Sequence, residues 1–271
     1  MFNRIAILLK NDIKMESKII EYIKKISNNS EVKIISFNDL KKDSLEDSDL
    51  IITLGGDGTF VKAANLIEDS LILGINAEPH KSEGALTSLD IKELEKLKEI
   101  FAGNFDTINR HRARIKLNRK ILDEYASNEV YVGASSQFHS SRYTIKFNGF
   151  EEEHRSSGVI VSTGTGSPAW FYSAGGKIFD HDEEKLGFIV REPYFGKRIF
   201  TPKLLNGYIL KGEKIVLESR RDFGGIVAIN DSIYDFNKGD IVEIEISDKP
   251  LRVIIPKWNS NEKLLAFRQL K

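Results

Sequence analysis

The stretch that most restricts the fold is residues 50–59, where the apolar run Leu50-Ile-Ile-Thr-Leu54 passes without a break into Gly55-Gly56-Asp57-Gly58-Thr59. The run predicts a buried strand, and three glycines in the next four positions permit a tight turn with no Cβ bulk. Beyond it, residues 60–67 read as a helix and 71–75 as another buried strand. Upstream, 4–10 reads as a strand. Met15, Ile19, Ile23 and Ile26 then recur at spacings of four and three, on one face of a helix, and 32–37 reads as a strand again. Strands separated by helices predict βαβ units and a parallel sheet, a Rossmann-like α/β domain. A charged helix over 91–101 is expected to end at Gly103.

From about residue 110 the rhythm changes to short strands joined by turns, over 112–117, 129–132, 143–147, 159–162, 208–210 and 214–218. Residues 240–247 alternate partly at period two, as a half-buried antiparallel strand does. The second half is therefore expected to be all-β. With 271 residues, more than one domain usually needs, the expected division is an α/β nucleotide-binding domain over 1–105, a β domain over 106–255, and a segment over 256–271 that packs back on the first.

Forty Lys plus Arg balance forty Asp plus Glu. A net charge of zero argues against a broad electrostatic grip on nucleic acid or an anionic membrane. The absence of cysteine excludes disulfides, thiol catalysis and thiolate metal sites, and suits a reducing compartment. No apolar run reaches the roughly 18 residues of a membrane span, and 5–9 is too short for a signal-peptide core, so the cytoplasm is the expected location. The five histidines show no metal-binding spacing, and no protein metal ligand is predicted. Asp180, Asp182, Glu183 and Glu184 read as a solvated turn or, less simply, a Mg²⁺ site. Arg112 and Arg114 share one face of a predicted strand, where they would meet a phosphate, meet a partner subunit, or serve as edge-strand charge.

Ligands of open α/β sheets bind at the carboxyl ends of the strands, which is where Gly55–Thr59 stands. Its backbone N–H groups can converge on phosphate oxygens, aided by the positive end of the following helix. No Gly-Lys-Ser/Thr follows, so this is not a Walker loop. A carboxylate is repelled by phosphate, so Asp57 in such a loop points to a role in taking a proton from an attacking hydroxyl or in placing Mg²⁺; the plainer reading is a turn-forming Asp. Gly164-Thr-Gly166-Ser-Pro-Ala169 formally fits a dinucleotide fingerprint, but Pro168 and the all-β surroundings favour a different role, including a small-residue turn for close packing.

Gly55-Gly56-Asp57-Gly58-Thr59 resembles the signature of the superfamily that contains NAD kinases, diacylglycerol and sphingosine kinases and, more distantly, phosphofructokinases. Three further segments are similar to NAD kinases in order and spacing: Gly74-Ile-Asn76 with Gly84-Ala-Leu-Thr87; Asn128-Glu129; and Ser157-Gly-Val-Ile-Val-Ser-Thr-Gly-Thr-Gly-Ser-Pro-Ala-Trp170 with Ser173-Ala-Gly-Gly176. The resemblance implies an α/β domain followed by a β-sandwich, NAD bound between them, and a homodimer or homotetramer. It implies phosphoryl transfer from ATP, with Mg²⁺, or from another polyphosphate donor to the 2′-hydroxyl of the adenosine ribose of NAD. Asp57 would be the general base and Gly55, Gly56, Gly58 and Thr59 would surround the phosphates. Asn76 and Ser157 would join the binding site, Asn128 and Glu129 would hold ribose hydroxyls or the base, and Thr165, Ala169, Trp170 and Ser173 would line the adenosine and nicotinamide pockets.

Most NAD kinases carry Asp-Gly where this chain has Ser157-Gly158, and Thr-Pro-Thr-Gly-Ser-Thr-Ala-Tyr where it has Thr163-Gly-Thr-Gly-Ser-Pro-Ala-Trp170. It is closer to the divergent, mitochondrial-type branch, which it also resembles at Glu78-Pro79, Ser82-Glu83-Gly84 and His111-Arg112-Ala-Arg114. These differences bear on the nicotinamide half and on NAD against NADH. Asn230-Asp231-Ser232 stands where the family has Asp-Gly, and Asp231 reads as a turn residue. A lipid or other alcohol kinase, and a non-catalytic NAD(P)-binding protein, are the competing readings.

Overall fold

The computed structural model describes residues 2–10, 16–136, 138–196 and 201–257. It divides into two compact units, the first ending at Asn109 and resuming at Leu251, the second running from Arg110 to Pro250.

The first unit is built on β1 (Arg4–Leu9), β2 (Glu31–Ser36), β3 (Leu50–Gly55), β4 (Leu71–Asn76), the short β5 (Leu89–Asp90) and β6 (Phe105–Arg110). β1 pairs in parallel with β2 and β3, and β3 with β4. The helices are α1 (Glu16–Ile26), α2 (Asp57–Ala64) and α3 (Leu97–Phe101). Alternate residues of each strand enter opposite cores, as period two requires. Ala6, Leu8, Ile51 and Ile72 pack with Phe60, Val61, Ala63 and Ala64 of α2. Ile5, Ile7, Ile52, Leu54 and Leu73 pack with Ile19 and Ile23 of α1 and with Leu97 and Ile100 of α3. A strand buried on both faces must read as continuous apolar sequence, which is why these strands stand out.

The charged helix differs from expectation in its first half, which is a 3-10 helix over Ile91–Lys96 that becomes α3 only at Leu97. Ile91, Leu94 and Leu97 all face one core, and a spacing of three aligns side chains on a three-residue turn. Asp90 accepts the N–H of Lys92, and Glu93 accepts that of Asp90, a reciprocal cap that fixes the start.

The second unit holds β7 (Ala113–Leu117), β8 (Lys120–Ala126), β9 (Glu129–Ala134), β10 (Ser141–Phe147), β11 (Phe150–Ser156), β12 (Gly158–Ser162), β13 (Lys185–Arg191), β14 (Asn206–Leu210), β15 (Lys214–Ser219), β16 (Gly225–Ile229), β17 (Ser232–Asp235) and β18 (Ile241–Ile246). Among the described residues they form two six-stranded sheets, β11-β10-β15-β18-β7-β8 and β14-β13-β12-β9-β16-β17. Every pairing in them is antiparallel. One core, including Ile145, Leu217 and Ile244 from the first sheet and Val132, Val161 and Phe188 from the second, joins them as a β-sandwich. The other face of the second sheet is covered by Phe171 and Phe179, which pack on Tyr131, Ile160 and Ile189.

The chain then returns as β19 (Leu251–Pro256), which lies in the first sheet, parallel to β4. The return begins earlier than the expected residue 256, and most of the segment expected to pack back, 258–271, lies outside the described residues.

Candidate active site

β3 ends at Gly55, Gly56 caps α2 in an extended conformation, and Asp57 is the first helical residue. The three glycines differ in why they are needed. A Cβ on Gly55 would lie 2.3 Å from Thr59 Oγ1 and 2.8 Å from its Cβ, and one on Gly56 would lie 2.7 Å from Ser82 Cβ. Packing therefore demands both. A Cβ on Gly58 would meet nothing within 4 Å, so nothing inside the protein requires glycine there, and the open space is on the exposed side of the helix start.

The Asp57 carboxylate is half-buried and held by two backbone donors, Leu86 N–H on Oδ1 at 2.8 Å and Ala85 N–H on Oδ2 at 3.2 Å. Asp57 N–H reaches Ser82 Oγ at 3.4 Å. Each carboxylate oxygen keeps a second lone pair, so the group is oriented yet able to accept a proton. Lys62, the lysine of α2, is turned away, with Nζ 3.0 Å from the Phe37 carbonyl and 3.9 Å above its ring.

Asn76 ends β4, buried, and its amide organises the following loop: Nδ2 donates to Ser82 O at 2.9 Å and Oδ1 accepts the Glu78 N–H at 3.2 Å. Gly84 has φ +65, and a Cβ there would lie 2.5 Å from Asn76 Nδ2. Asn76 and Gly84 thus bring residues 82–86 against the glycine loop. Ser82, Ala85 and Leu86 were not singled out as contacts of Asp57. Two of them act through backbone N–H, which no side-chain pattern reveals.

In the second unit, Asn128 precedes β9 and Glu129 opens it. Asn128 Oδ1, Glu129 Oε2 and Thr165 Oγ1 are buried and have no hydrogen-bond partner among the described residues. Burial pushes the Glu129 carboxyl up to about 7. Buried acceptors normally find partners, so three such atoms, all on residues expected to bind ligand, form a polar site that a hydroxyl- and amine-bearing molecule would complete. Close backbone packing gathers them: Thr163 N–H donates to Asn128 O at 2.8 Å, and a Cβ on Gly166 would lie 2.4 Å from the same carbonyl. A Cβ on Gly164 would lie 2.1 Å from Asp180 O. The Gly-x-Gly match is therefore a close-packing turn between antiparallel strands, not a dinucleotide fingerprint.

After that turn, Ser167–Phe171 forms one wide π-type turn with Pro168 in its first positions and Ala169 at φ −90, ψ −122. It presents Trp170, 37% exposed, against Tyr131 at a ring separation of 5.3 Å, with the Arg191 guanidinium 5.0 Å from the indole. Ser173 is exposed, its Oγ 3.3 Å from Ala169 O. Ser157 Oγ donates to the Glu192 carboxylate and lines a cavity of about 520 Å³ with Tyr194. Gly158, at φ +141, lies opposite Gly133, and a Cβ on either would strike the Tyr131 ring or hydroxyl, at 2.7 and 2.5 Å.

Arg112 is not edge-strand charge: it is fully buried, 4.0 Å over the Tyr125 ring, and donates twice to the Lys249 carbonyl. In the acidic turn, Glu183 pairs with Lys185 at 2.6 Å and Glu184 with Lys211 at 3.1 Å. Among the described residues no group of three or more His, Asp or Glu could hold a metal ion, and no helix is long and apolar enough to cross a membrane. Asp231 is exposed, in the turn that follows Asn230 at φ 51.

Residues 5–105 match the family model described as the ATP-NAD kinase N-terminal domain. The chain is 29% identical over 238 residues to a probable NADH kinase of Oryza sativa subsp. japonica, covering 79% of this chain and 73% of that one. It is 28% identical over 257 residues to an NAD kinase of Caldicellulosiruptor saccharolyticus, covering 92% and 93%. Among solved structures, an NAD kinase from Archaeoglobus fulgidus in complex with ATP superposes with a TM-score of 0.76 at 23% identity, covering 98% and 99%. At that identity the likeness speaks for the fold.

Proposed function

The chain belongs to the NAD kinase family, and on that premise we propose how its residues carry out ATP-dependent phosphorylation of NAD to NADP. Asp57 accepts the proton of the ribose 2′-hydroxyl as that oxygen attacks the γ-phosphoryl group. Gly55, Gly56, Gly58 and Thr59 offer the donor phosphates a backbone surface at the start of α2, and Gly58 leaves room for their approach. Asn76 and Ser82 act by position, holding the loop whose N–H groups fix the base. Phosphoryl transfer depends mainly on positioning and charge stabilisation, which suits a rigidly held carboxylate.

In the second unit, the unpartnered oxygens of Asn128, Glu129 and Thr165 take the hydroxyls and amino group of the nucleoside. Trp170, backed by Tyr131, offers an aromatic surface to a ring, with Ala169 and Ser173 beside it on the same turn, and Ser157 contributes to the nicotinamide half. Mg²⁺ fits as an ion carried by the triphosphate and held by its phosphate oxygens, which leaves the Asp57 carboxylate to the proton. When bound, it would offset the phosphate charge.

The observation that carries the proposal is the Asp57 carboxylate, held on two N–H groups at the carboxyl end of a parallel sheet beside a glycine that packing does not need. Unpartnered acceptors at Asn128, Glu129 and Thr165 favour a sugar over a lipid acceptor. The proposal extends to the mitochondrial-type branch and its wider superfamily, supported by Glu78-Pro79 and Ser82-Glu83-Gly84. It also includes a cytoplasmic location, supported by the cysteine-free sequence, and a homo-oligomer, supported by the exposed Phe138, Phe150 and Phe223. Incubation with ATP, Mg²⁺ and NAD or NADH, read by a dehydrogenase coupled to NADP(H), beside a lipid alcohol followed with labelled ATP, tests it. NADP(H) formation is expected; binding of NAD without turnover would favour a sensing protein instead.

A further inference from the structure

The outer face of the second β-sandwich sheet carries a patch without side chains. Gly133 on β9 stands opposite Gly158 on β12, and Gly158 opposite Arg191 on β13. Two residues along, Tyr131, Ile160 and Ile189 form the neighbouring row, on the same face because alternate residues of a strand point the same way. The Tyr131 ring lies over both glycines: a Cβ on Gly158 would sit 2.7 Å from its Cε2, and one on Gly133 would sit 2.5 Å from its hydroxyl oxygen. Two facing glycines thus leave the room that one large ring fills, and Tyr131 is buried.

The ring and the hydroxyl of this side chain each meet a different part of the proposed NAD site. The ring carries Trp170, at a centroid separation of 5.3 Å and an angle of 32°. The hydroxyl oxygen lies 2.6 Å from the Ser157 carbonyl oxygen and 2.9 Å from that of Ala134. A phenol has one proton, so the two carbonyls share it, and burial pushes the phenol above its ordinary value, which keeps that proton in place. Ser157 N–H donates to Arg191 O at 3.1 Å, and the Tyr131 hydroxyl secures the carbonyl of the same residue.

We propose that Tyr131 is a positioning residue for NAD: its ring is the floor that sets the Trp170 indole, and its hydroxyl fixes the Ser157 turn at a constant spacing from that indole. The inference rests on the NAD kinase reading of this site and adds to it a residue that acts through two others. Without the shared proton the Ser157 turn leaves its binding position for part of the time, and the apparent affinity for NAD falls with the fraction of chains in which it is in place.

Tyr131→Phe keeps the ring and removes the proton, so this variant is expected to fold. Calorimetry should show NAD binding weakened about 2- to 10-fold, as loss of one hydrogen bond implies, with KM for NAD raised alike and with kcat and KM for ATP unchanged. Tyr131→Leu removes the ring as well and should weaken binding further. That additional loss should vanish in the Trp170→Ala background, because residues that act through one another are not additive. Unchanged NAD affinity in Tyr131→Phe would overturn the proposal. So would an additional loss that persists undiminished in Trp170→Ala, or an equal rise in KM for ATP, either of which makes Tyr131 a general packing residue. Wild type that binds NAD yet forms no NADP contradicts the kinase reading alone, since the binding measurements still decide the role of Tyr131.

Discussion

The side chain of Asp57 and the backbone of Leu86, twenty-nine positions apart, meet in a 2.8 Å hydrogen bond. That contact depends on Gly84, whose left-handed backbone turns the chain, and on Asn76, which ties residues 78 and 82 to the end of β4. The proposed base is thus set by a loop as well as by the helix it begins.

The glycine loop separates packing from function by position. Gly55→Ala forces a Cβ into Thr59 and is expected to destabilise the protein by about 1–3 kcal/mol, as overpacking does. Gly58→Ala meets open space inside a helix and is expected to leave stability unchanged or raise it by about 0.5–1 kcal/mol. It should nevertheless raise KM for ATP, because its methyl group occupies the approach of the phosphates. Thermal melts with steady-state kinetics on both variants check the contrast.

Glu129 gives a pH signature. Its carboxyl is raised from 4.5 to about 7 by burial, so the folded protein holds this proton more tightly than the unfolded chain. The stabilising contribution is full below about 4.5 and is lost as pH rises through about 7. Glu129→Gln is therefore expected to gain stability relative to wild type at pH 8, by at most on the order of 3 kcal/mol, and little at pH 4. Denaturant titrations at the two pH values measure this.

Ligand hydroxyls that donate to Glu129 favour its ionised form, so NAD should bind more tightly as pH rises from 6 to 8, with proton release on binding at pH 6. Calorimetry in two buffers of different ionisation enthalpy detects that proton. In Glu129→Gln both the release and the pH dependence should disappear.

Trp170→Ala removes an aromatic pair with Tyr131 on a half-exposed turn. The expected stability loss is about 0.5–1.5 kcal/mol, while KM for NAD should rise severalfold with KM for ATP unchanged. NAD is expected to quench indole fluorescence in wild type, and that quenching should largely vanish in the variant.

The parallel sheet was legible because its strands are buried on both faces and read as unbroken apolar runs; Leu50–Gly55 shows this best. Not every edge strand was. β11, Phe-Glu-Glu-Glu-His-Arg-Ser, lies at the rim of its sheet, where charge is tolerated and even protective, so its run of glutamates carries no strand signal. Glu152 accepts the N–H groups of Lys203 and Leu204 and holds the buried His154 at 2.6 Å. The site divided along the same line. Asn128, Glu129 and Thr165 were visible as residue types, whereas the support of Asp57 by Ala85 and Leu86 comes from backbone geometry, and the burial of Arg112 from tertiary contacts with Tyr125 and Lys249.

The central claim is that the Asp57 carboxylate takes the hydroxyl proton, and the most direct measurement is NADP formation by Asp57→Asn beside wild type, with NAD binding and thermal stability recorded for both. The expected result is a fall in kcat of about 10²- to 10⁴-fold with NAD affinity and melting temperature retained. Turnover at the wild-type rate by this variant would contradict the account.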